Sequence, residues 1–469
     1  MSIFSALFNN KIYNFEQAFN VKDITSSEMQ TAIKDWFTLY FDGITDIDTT
    51  IEYDDCQRLP VLIVNKIVKT AFSEYEASTS KSGTKADFVT SLLLKADAAK
   101  KTIMQFALIG GECFIKPVLT PYGFELSAVR RDCFIPLARD VTGRPTSVGT
   151  AEFTSLGGKY YTLLERRTVG LNGALTIESK LYVSDSRDTL GTLTSLNAIE
   201  KYATLQPVVV LPGIYNLGMA LIKTPMMNSV DGTNDGVSVY SAANKLIKNI
   251  NRNEQQLNDE FDNGASRIIA SNDMITTDSV TGKKKLSSKL FIGIDDDQDT
   301  VGVTIFNPNL REASYLARKQ EYLRNIESLI GLKRGILSEV EATERTATEI
   351  TSSQGDYNLT IIDFQQMWES ALRELIGTCD RLGQLYKLCD SSLFDIEKDL
   401  IVDWGDGVLF NRDKAWIELS GMVGSGMLKP EIAVAWYYDI PFPKTPTDLQ
   451  KIREAYMPDM EALTNGGEE

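Results

Sequence analysis

Residues 236–264 read GVSVYSAANKLIKNINRNEQQLNDEFDNG. Tyr240, Ala243, Ile247, Ile250, Glu254, Leu257 and Phe261 step alternately by three and four through this stretch. That spacing belongs to one face of an α-helix and to a heptad seam, here with one charged member. Ser238 stands where an N-cap belongs, and Asn263-Gly264 is a stop signal. The pattern predicts a helix over 238–262, a rod about 37 Å long at 1.5 Å per residue. Lys245, Lys248 and Arg252 share another face of it. Such a row is either the solvated side of the helix or a surface for phosphates or a neighbour's carboxylates.

Downstream, a second helix is expected over 311–330, with Leu316, Leu323 and Ile330 in one row and Tyr315, Tyr322 and Leu329 in the next. Between the two helices lie strand-like runs, Arg267-Ile268-Ile269, Leu290-Phe291-Ile292 and 301–306. Two rods bracketing a β insertion read as a protruding arm, a shape suited to assembly. Within the insertion, Lys283-Lys284-Lys285 follows Thr281-Gly282 and is expected as an exposed turn, or else a basic spot facing DNA or an acidic partner. Asp295-Asp296-Asp297-Gln298-Asp299 spaces carboxylates as a calcium loop does, but Thr300 and Phe306 occupy the positions that need Gly and Glu. A solvated acidic turn is the first reading, with weak divalent binding as the alternative.

Upstream the patterns mix. Met29, Ile33, Trp36, Phe37 and Tyr40 mark a helix over 26–40, and 62–77 and 88–106 also show helical spacing. From there to about 215 the runs are strand-like, with Gly110-Gly111 as a helix-to-strand turn needing positive φ. The class is therefore α+β. Residues 202–222 carry no charge, yet Pro207, Pro212-Gly213, Asn216 and Gly218 interrupt them, so Val208-Val209-Val210-Leu211 reads as a short buried strand and not as part of a membrane span. After Gly331 comes a polar run containing Glu339, Glu341, Glu344 and Glu349, expected as a mobile loop and not as acid–base machinery. A long helix over 350–388 follows, then helices over 413–423, 430–438 and 449–456.

Composition narrows the function. The 469 residues contain no histidine, which removes Ser-His and Cys-His nucleophile pairs and His-based zinc sites. Five scattered cysteines without a CxxC pair fit free thiols. Neither GxxxxGK[ST] nor GxGxxG occurs, so neither a P-loop motor nor a Rossmann enzyme is expected. The amino-terminal residues carry no basic n-region, and no signal peptide is expected. With 64 acidic against 48 basic side chains the formal charge is −16, which opposes tight, non-specific binding to a polyanion. No cofactor or metal is expected.

Gly331-Leu332 at a helix end, followed by Glu344-Arg345-Thr346-Ala347-Thr348-Glu349-Ile350 opening a long helix, resembles the Thr-Ala-Thr-Glu-Val element of SPP1-type phage portal proteins. Arg345 stands where a lysine is expected. Gly236 to Tyr240, the helix end at Glu260 to Gly264, Arg267-Ile268-Ile269 and Gly110 to Phe114 look similar to the same family. The resemblance implies a portal-protein fold: an α/β wing over 1–236, a stem helix over 237–263, a β-containing clip over 264–310, a second stem helix over 311–331, a tunnel loop over 332–346, a long wing helix and return over 347–410, and a helical crown over 411–469. It implies a non-enzymatic homo-oligomeric ring, a dodecamer, in the virion at the capsid vertex and in the host cytoplasm during assembly. Its implied partners are the terminase large subunit, major capsid and scaffolding proteins, head-completion or adaptor proteins, and double-stranded DNA passing without sequence-specific binding; no membrane is involved. Lys333, Arg334, Glu339, Glu341, Glu344 and Arg345 would lie near DNA, Lys245, Lys248 and Arg252 on the stem, and Lys283 to Lys285 with Asp295, Asp296 and Asp297 in the clip. The alternatives are another minor head or scaffold-like assembly protein and, more remotely, a metal-dependent nucleic-acid enzyme using Asp295, Asp297 and Asp299.

Overall fold

The computed structural model describes residues 15–42, 56–170, 172–187, 189–264, 267–270, 275–277, 284–286, 303–306, 309–339, 347–405, 412–438, 440, 443 and 445–457. Two compact units form, one from Met1–Lys69 with Ala77–Ile401 and one from Thr70–Glu76 with Val402–Glu469.

In the larger unit, helix α1 (Ser27–Phe41) starts where Ser26 accepts the Met29 N–H, the cap its sequence encodes. Met29, Ile33, Trp36 and Phe37 are buried along its predicted face. Helix α2 (Thr84–Gly110) is longer than its apolar spacing suggested and stops at Gly111, whose φ of 82° is left-handed. The expected turn is there. Only glycine fits it, because a Cβ would sit 2.3 Å from the backbone of Gly236. The helix expected over 62–77 spans Leu59–Ala71.

Two antiparallel sheets follow. One has the order β9 (Ala220–Lys223), β1 (Glu112–Thr120), β2 (Gly123–Arg130). The other runs β3 (Phe134–Arg139), β4 (Pro145–Leu156), β5 (Lys159–Val169), β6 (Ala174–Ser184), β7 (Thr192–Thr194), with β8 (Val208–Pro212) also on β6. Phe114, Phe134, Val148, Leu217 and Met219 form a shared core between them. A buried ion cluster joins the sheets as well: Glu165 pairs with Lys116 at 2.9 Å and with Arg167 at 2.5 Å. The β8 segment corrects one expectation. It is a strand, but Val208 and Val210 are 55% and 58% exposed, because β8 lies at a sheet edge with a single partner strand and alternate side chains point outward.

Helix α5 (Ala347–Leu385) buries Phe364, Trp368, Leu372, Leu375, Ile376 and Cys379. Glu374 on it accepts the Leu221 N–H of β9 and pairs with Arg144, while Asn216 donates to Thr378 at 2.6 Å. The smaller unit holds α6 (Arg412–Gly424), α7 (Pro430–Tyr437) and α8 (Pro446–Tyr456). Helix α8 begins earlier than predicted because Thr445 and Asp448 form a reciprocal capping box with Pro446 at the first helical position. Trp416 against Tyr437, and Tyr438 against Tyr456, tie the three helices together.

Candidate functional site: the helix pair and its return segment

The decisive stretch forms helix α3, Asn244–Asn263, which is shorter than the predicted rod. Its start is corrected by packing. Ser238 spends its hydroxyl on the Leu108 carbonyl at 3.1 Å, and the Val239 N–H takes the same acceptor at 2.9 Å. Tyr240 is fully buried and donates to the Trp36 carbonyl at 2.8 Å. Residues 238–244 are therefore pinned to α1 and α2 in successive i→i+3 turns and cannot open a regular helix there. Gly236 beneath them donates its N–H to Glu112 at 2.9 Å. Glu112 also faces Arg131 at 3.5 Å, and Arg131 reaches Asp235 at 3.3 Å, all three side chains buried. The two glycine-containing motifs, 110–114 and 236–240, thus meet in space through a backbone contact and a buried carboxylate.

Beyond its start, the seam behaves as predicted. Ile247, Ile250 and Leu257 are buried, and only Phe261, near the far end, is 45% exposed. The partner is helix α4 (Glu312–Ile330), which runs antiparallel to α3. Arg311 bridges Glu260 at 2.6 Å, Lys319 bridges Glu254 at 2.9 Å, and Asn253 donates to the Tyr315 carbonyl at 3.0 Å. The one charged member of the seam, Glu254, is therefore an inter-helix contact. Hydrogen bonding to Arg311 lowers the Glu260 carboxyl below its ordinary value.

The predicted basic row is divided. Lys245 and Arg252 are exposed, whereas Lys248 is half-buried and bridges Asp35 of α1 at 2.7 Å. Lys284 and Lys285 lie on strand β12 (Lys284–Leu286), paired antiparallel with β11 (Ile275–Thr277), and not in the expected turn. A second antiparallel pair joins β10 (Arg267–Ala270) to β13 (Val303–Phe306), the outer two of the predicted insertion strands. Lys283, Asp295, Asp296, Asp297, Glu341, Glu344 and Arg345 lie outside the described residues, as does the strand expected at 290–292.

The start of the expected tunnel loop is well anchored. Helix α4 ends at Gly331, whose φ of 77° is left-handed, and the Leu332 N–H returns to the Glu327 carbonyl at 2.8 Å. Lys333 is half-buried, Arg334 and Glu339 are exposed, and Ser338 is buried. The main chain of 335–339 is held by two α4 side chains, Glu327 and Gln320. Neither was singled out in the sequence, although a signal exists. Leu316, Gln320, Leu323, Glu327 and Ile330 form one heptad row, in which two polar residues interrupt an apolar stripe.

Nothing among the described residues assembles chemistry. No group of three or more His, Cys, Asp or Glu side chains converges as a metal site, and no helix is long and apolar enough to cross a membrane. A cavity bounded by Arg144 and Glu374 has a volume of about 70 Å³, below the roughly 300–1,000 Å³ of small-molecule sites; a second, along Lys180, Leu193, Leu205 and Val208, measures about 430 Å³ and lies within that range.

The molecule is thus an α+β protein whose distinctive parts are an interlocked helix pair and a β insertion between its two rods. The family model for phage portal protein, SPP1 Gp6-like, matches residues 124–456, and the chain belongs to that family. The family is structural and non-enzymatic, so the chain is a portal or connector component of a phage particle and the metal-enzyme alternative falls away. A comparison with curated proteins finds no match. Among solved structures, a chain described as the neck of a native GTA particle computed with C12 symmetry is similar at 12% identity, over 92% of this chain and 99% of that one, with a TM-score of 0.43.

Proposed function

We propose that this chain is the ring subunit of the portal vertex, through which the terminase packages DNA and from which DNA later leaves. Helices α3 and α4 act as the stem, 264–310 as the clip that meets the terminase and then the head-completion proteins, and 411–469 as the crown. The ring, a dodecamer, also nucleates the prohead together with capsid and scaffolding proteins. Lys245 and Arg252 on the stem, Lys283 to Lys285 with Asp295, Asp296 and Asp297 in the clip, and Lys333, Arg334, Glu339, Glu341, Glu344 and Arg345 in the tunnel loop are the proposed contact residues.

One observation carries this reading beyond family membership. The α3–α4 pair buries most of its own seam yet leaves Leu316, Leu329 and Phe261 49%, 51% and 45% exposed. A rod that still shows apolar side chains after pairing is suited to neighbours of its own kind. The formal charge of −16 fits a conduit in which phosphates are not held tightly. Native mass measurement of the purified full-length protein, with negative-stain imaging, tests the proposal. A closed oligomer with a central hole is expected; a monomer at every concentration, even beside its capsid partners, overturns it.

A further inference from the structure

The chain reverses at Gly331 and then runs back along α4. Fully buried Glu327 receives three main-chain N–H groups on one carboxylate oxygen, from Gly335 at 3.1 Å, Leu337 at 2.6 Å and Ser338 at 3.0 Å. Its other oxygen accepts the Ser338 hydroxyl at 2.7 Å. Seven residues earlier on the same helix face, Gln320 accepts the Glu339 N–H at 2.9 Å. Successive backbone N–H groups that converge on one point form a concavity for an anion, and here the anion is the protein's own carboxylate. A buried carboxylate is stable only when it is partnered in this way, so helix and segment hold each other.

We propose that Glu327 is a positioning residue: it fixes the path of the first part of the tunnel loop along α4. At Glu339 the returning segment is level with Gln320. That is about 10 Å back from Glu327 at 1.5 Å per residue, and not at the helix terminus. The row Lys333–Arg345 therefore opens with a docked root that includes residues 335–339. The anchor stands independently of what the loop does; its consequence for DNA rests on the role proposed above.

The test is hydrogen exchange on the full-length protein, comparing Glu327→Ala, Glu327→Gln and Ser338→Ala with wild type. The Leu332 amide is the internal control, since it bonds to the backbone carbonyl of residue 327 and not to the side chain. In Glu327→Ala, the amides of Gly335, Leu337 and Ser338 exchange at least about tenfold faster while Leu332 is unchanged, the loss expected when a hydrogen bond to a charged group goes. Glutamine keeps an acceptor oxygen for the three N–H groups and restores protection to within about threefold, which a general loss of stability would not permit. If Glu327→Ala does not fold, Ser338→Ala removes the hydroxyl contact alone and loosens the carboxylate, and exchange at Gly335 and Leu337 rises about threefold with Leu332 steady. Unchanged exchange at these amides, or equal acceleration at Leu332, overturns the anchor. DNA packaged per particle provides the separate readout: altered exchange with intact packaging removes the loop's role in packaging and leaves the anchor standing.

Discussion

At the scale of single residues, the larger unit depends on carboxylates whose partners lie far away in sequence. Glu165 shows the cost and the return. Burial alone would raise its carboxyl, but Arg167 and Lys116 more than offset this and bring it down to about 2 from 4.5. Because the folded value is depressed, its contribution to stability is complete above pH 4.5 and is lost as pH falls toward 2. Glu165→Gln is expected to lower the urea-unfolding free energy by about 3–5 kcal/mol at neutral pH, since Arg167 and Lys116 are left facing each other without a countercharge. It should also flatten the acid limb of the stability profile between pH 4.5 and 2. A variant with wild-type stability and an unchanged acid limb would show that the cluster contributes nothing. Glu165 and Arg167 sit two apart on one strand and share a face, but the cluster as a whole was not visible in the sequence, because Lys116 joins them only once two sheets face each other. Gly111 was legible, by contrast, since a left-handed turn between helix and strand is a local requirement.

At the scale of elements, periodicity located both helices of the pair, the long helix and the short ones at the end, because each buries one face and the spacing records it. Boundaries were legible only where the deciding contact is local. Ser26 and Thr445 cap their own helices, whereas Ser238, in an equally good position, is claimed by the Leu108 carbonyl from another helix. The polar members of the heptad rows were misjudged for the same reason. Glu254 stood only as the seam's one charged member, and Gln320 and Glu327 were passed over; all three are contacts, with partners at Lys319, Glu339 and 335–338. The Lys319–Glu254 bridge can be weighed directly. Its side chains are 22% and 19% exposed, so a double-mutant cycle of Lys319→Ala and Glu254→Ala should give a coupling of about 0.5–1 kcal/mol, a surface-like value after screening. Lys319 also donates to Gln57 at 3.0 Å, so the single Lys319→Ala change should cost more than the coupling itself. Denaturation of the four proteins in low and 0.5 M salt checks it, with about half the coupling surviving the added salt; zero coupling at low salt would make the bridge incidental.

At the scale of the whole molecule, a closed ring imposes a condition that the exposed side chains can test. Heterologous closure requires each subunit to present two different patches, one to each neighbour. Leu316 and Leu329 are thirteen positions apart on α4, which sets them about 140° apart around the helix at 3.6 residues per turn. One rod therefore shows apolar surface toward two flanks. Under the proposed ring, Leu316→Asp and Leu329→Asp should each break assembly while leaving the subunit's melting temperature within a few degrees, because both side chains are already half in solvent. Each lost contact removes up to about 1.5–3 kcal/mol per joint, and the loss repeats at every joint of the ring. Salt separates this association from an electrostatic one. Subunits of formal charge −16 repel one another, so screening should favour the ring as ionic strength rises, whereas any non-specific hold on DNA should weaken over the same range. Sedimentation of wild type and both variants at two salt concentrations reads all of these effects together. Rings that persist in both aspartate variants, or that dissociate as salt is added, would mean that the exposed leucines are not what joins the copies.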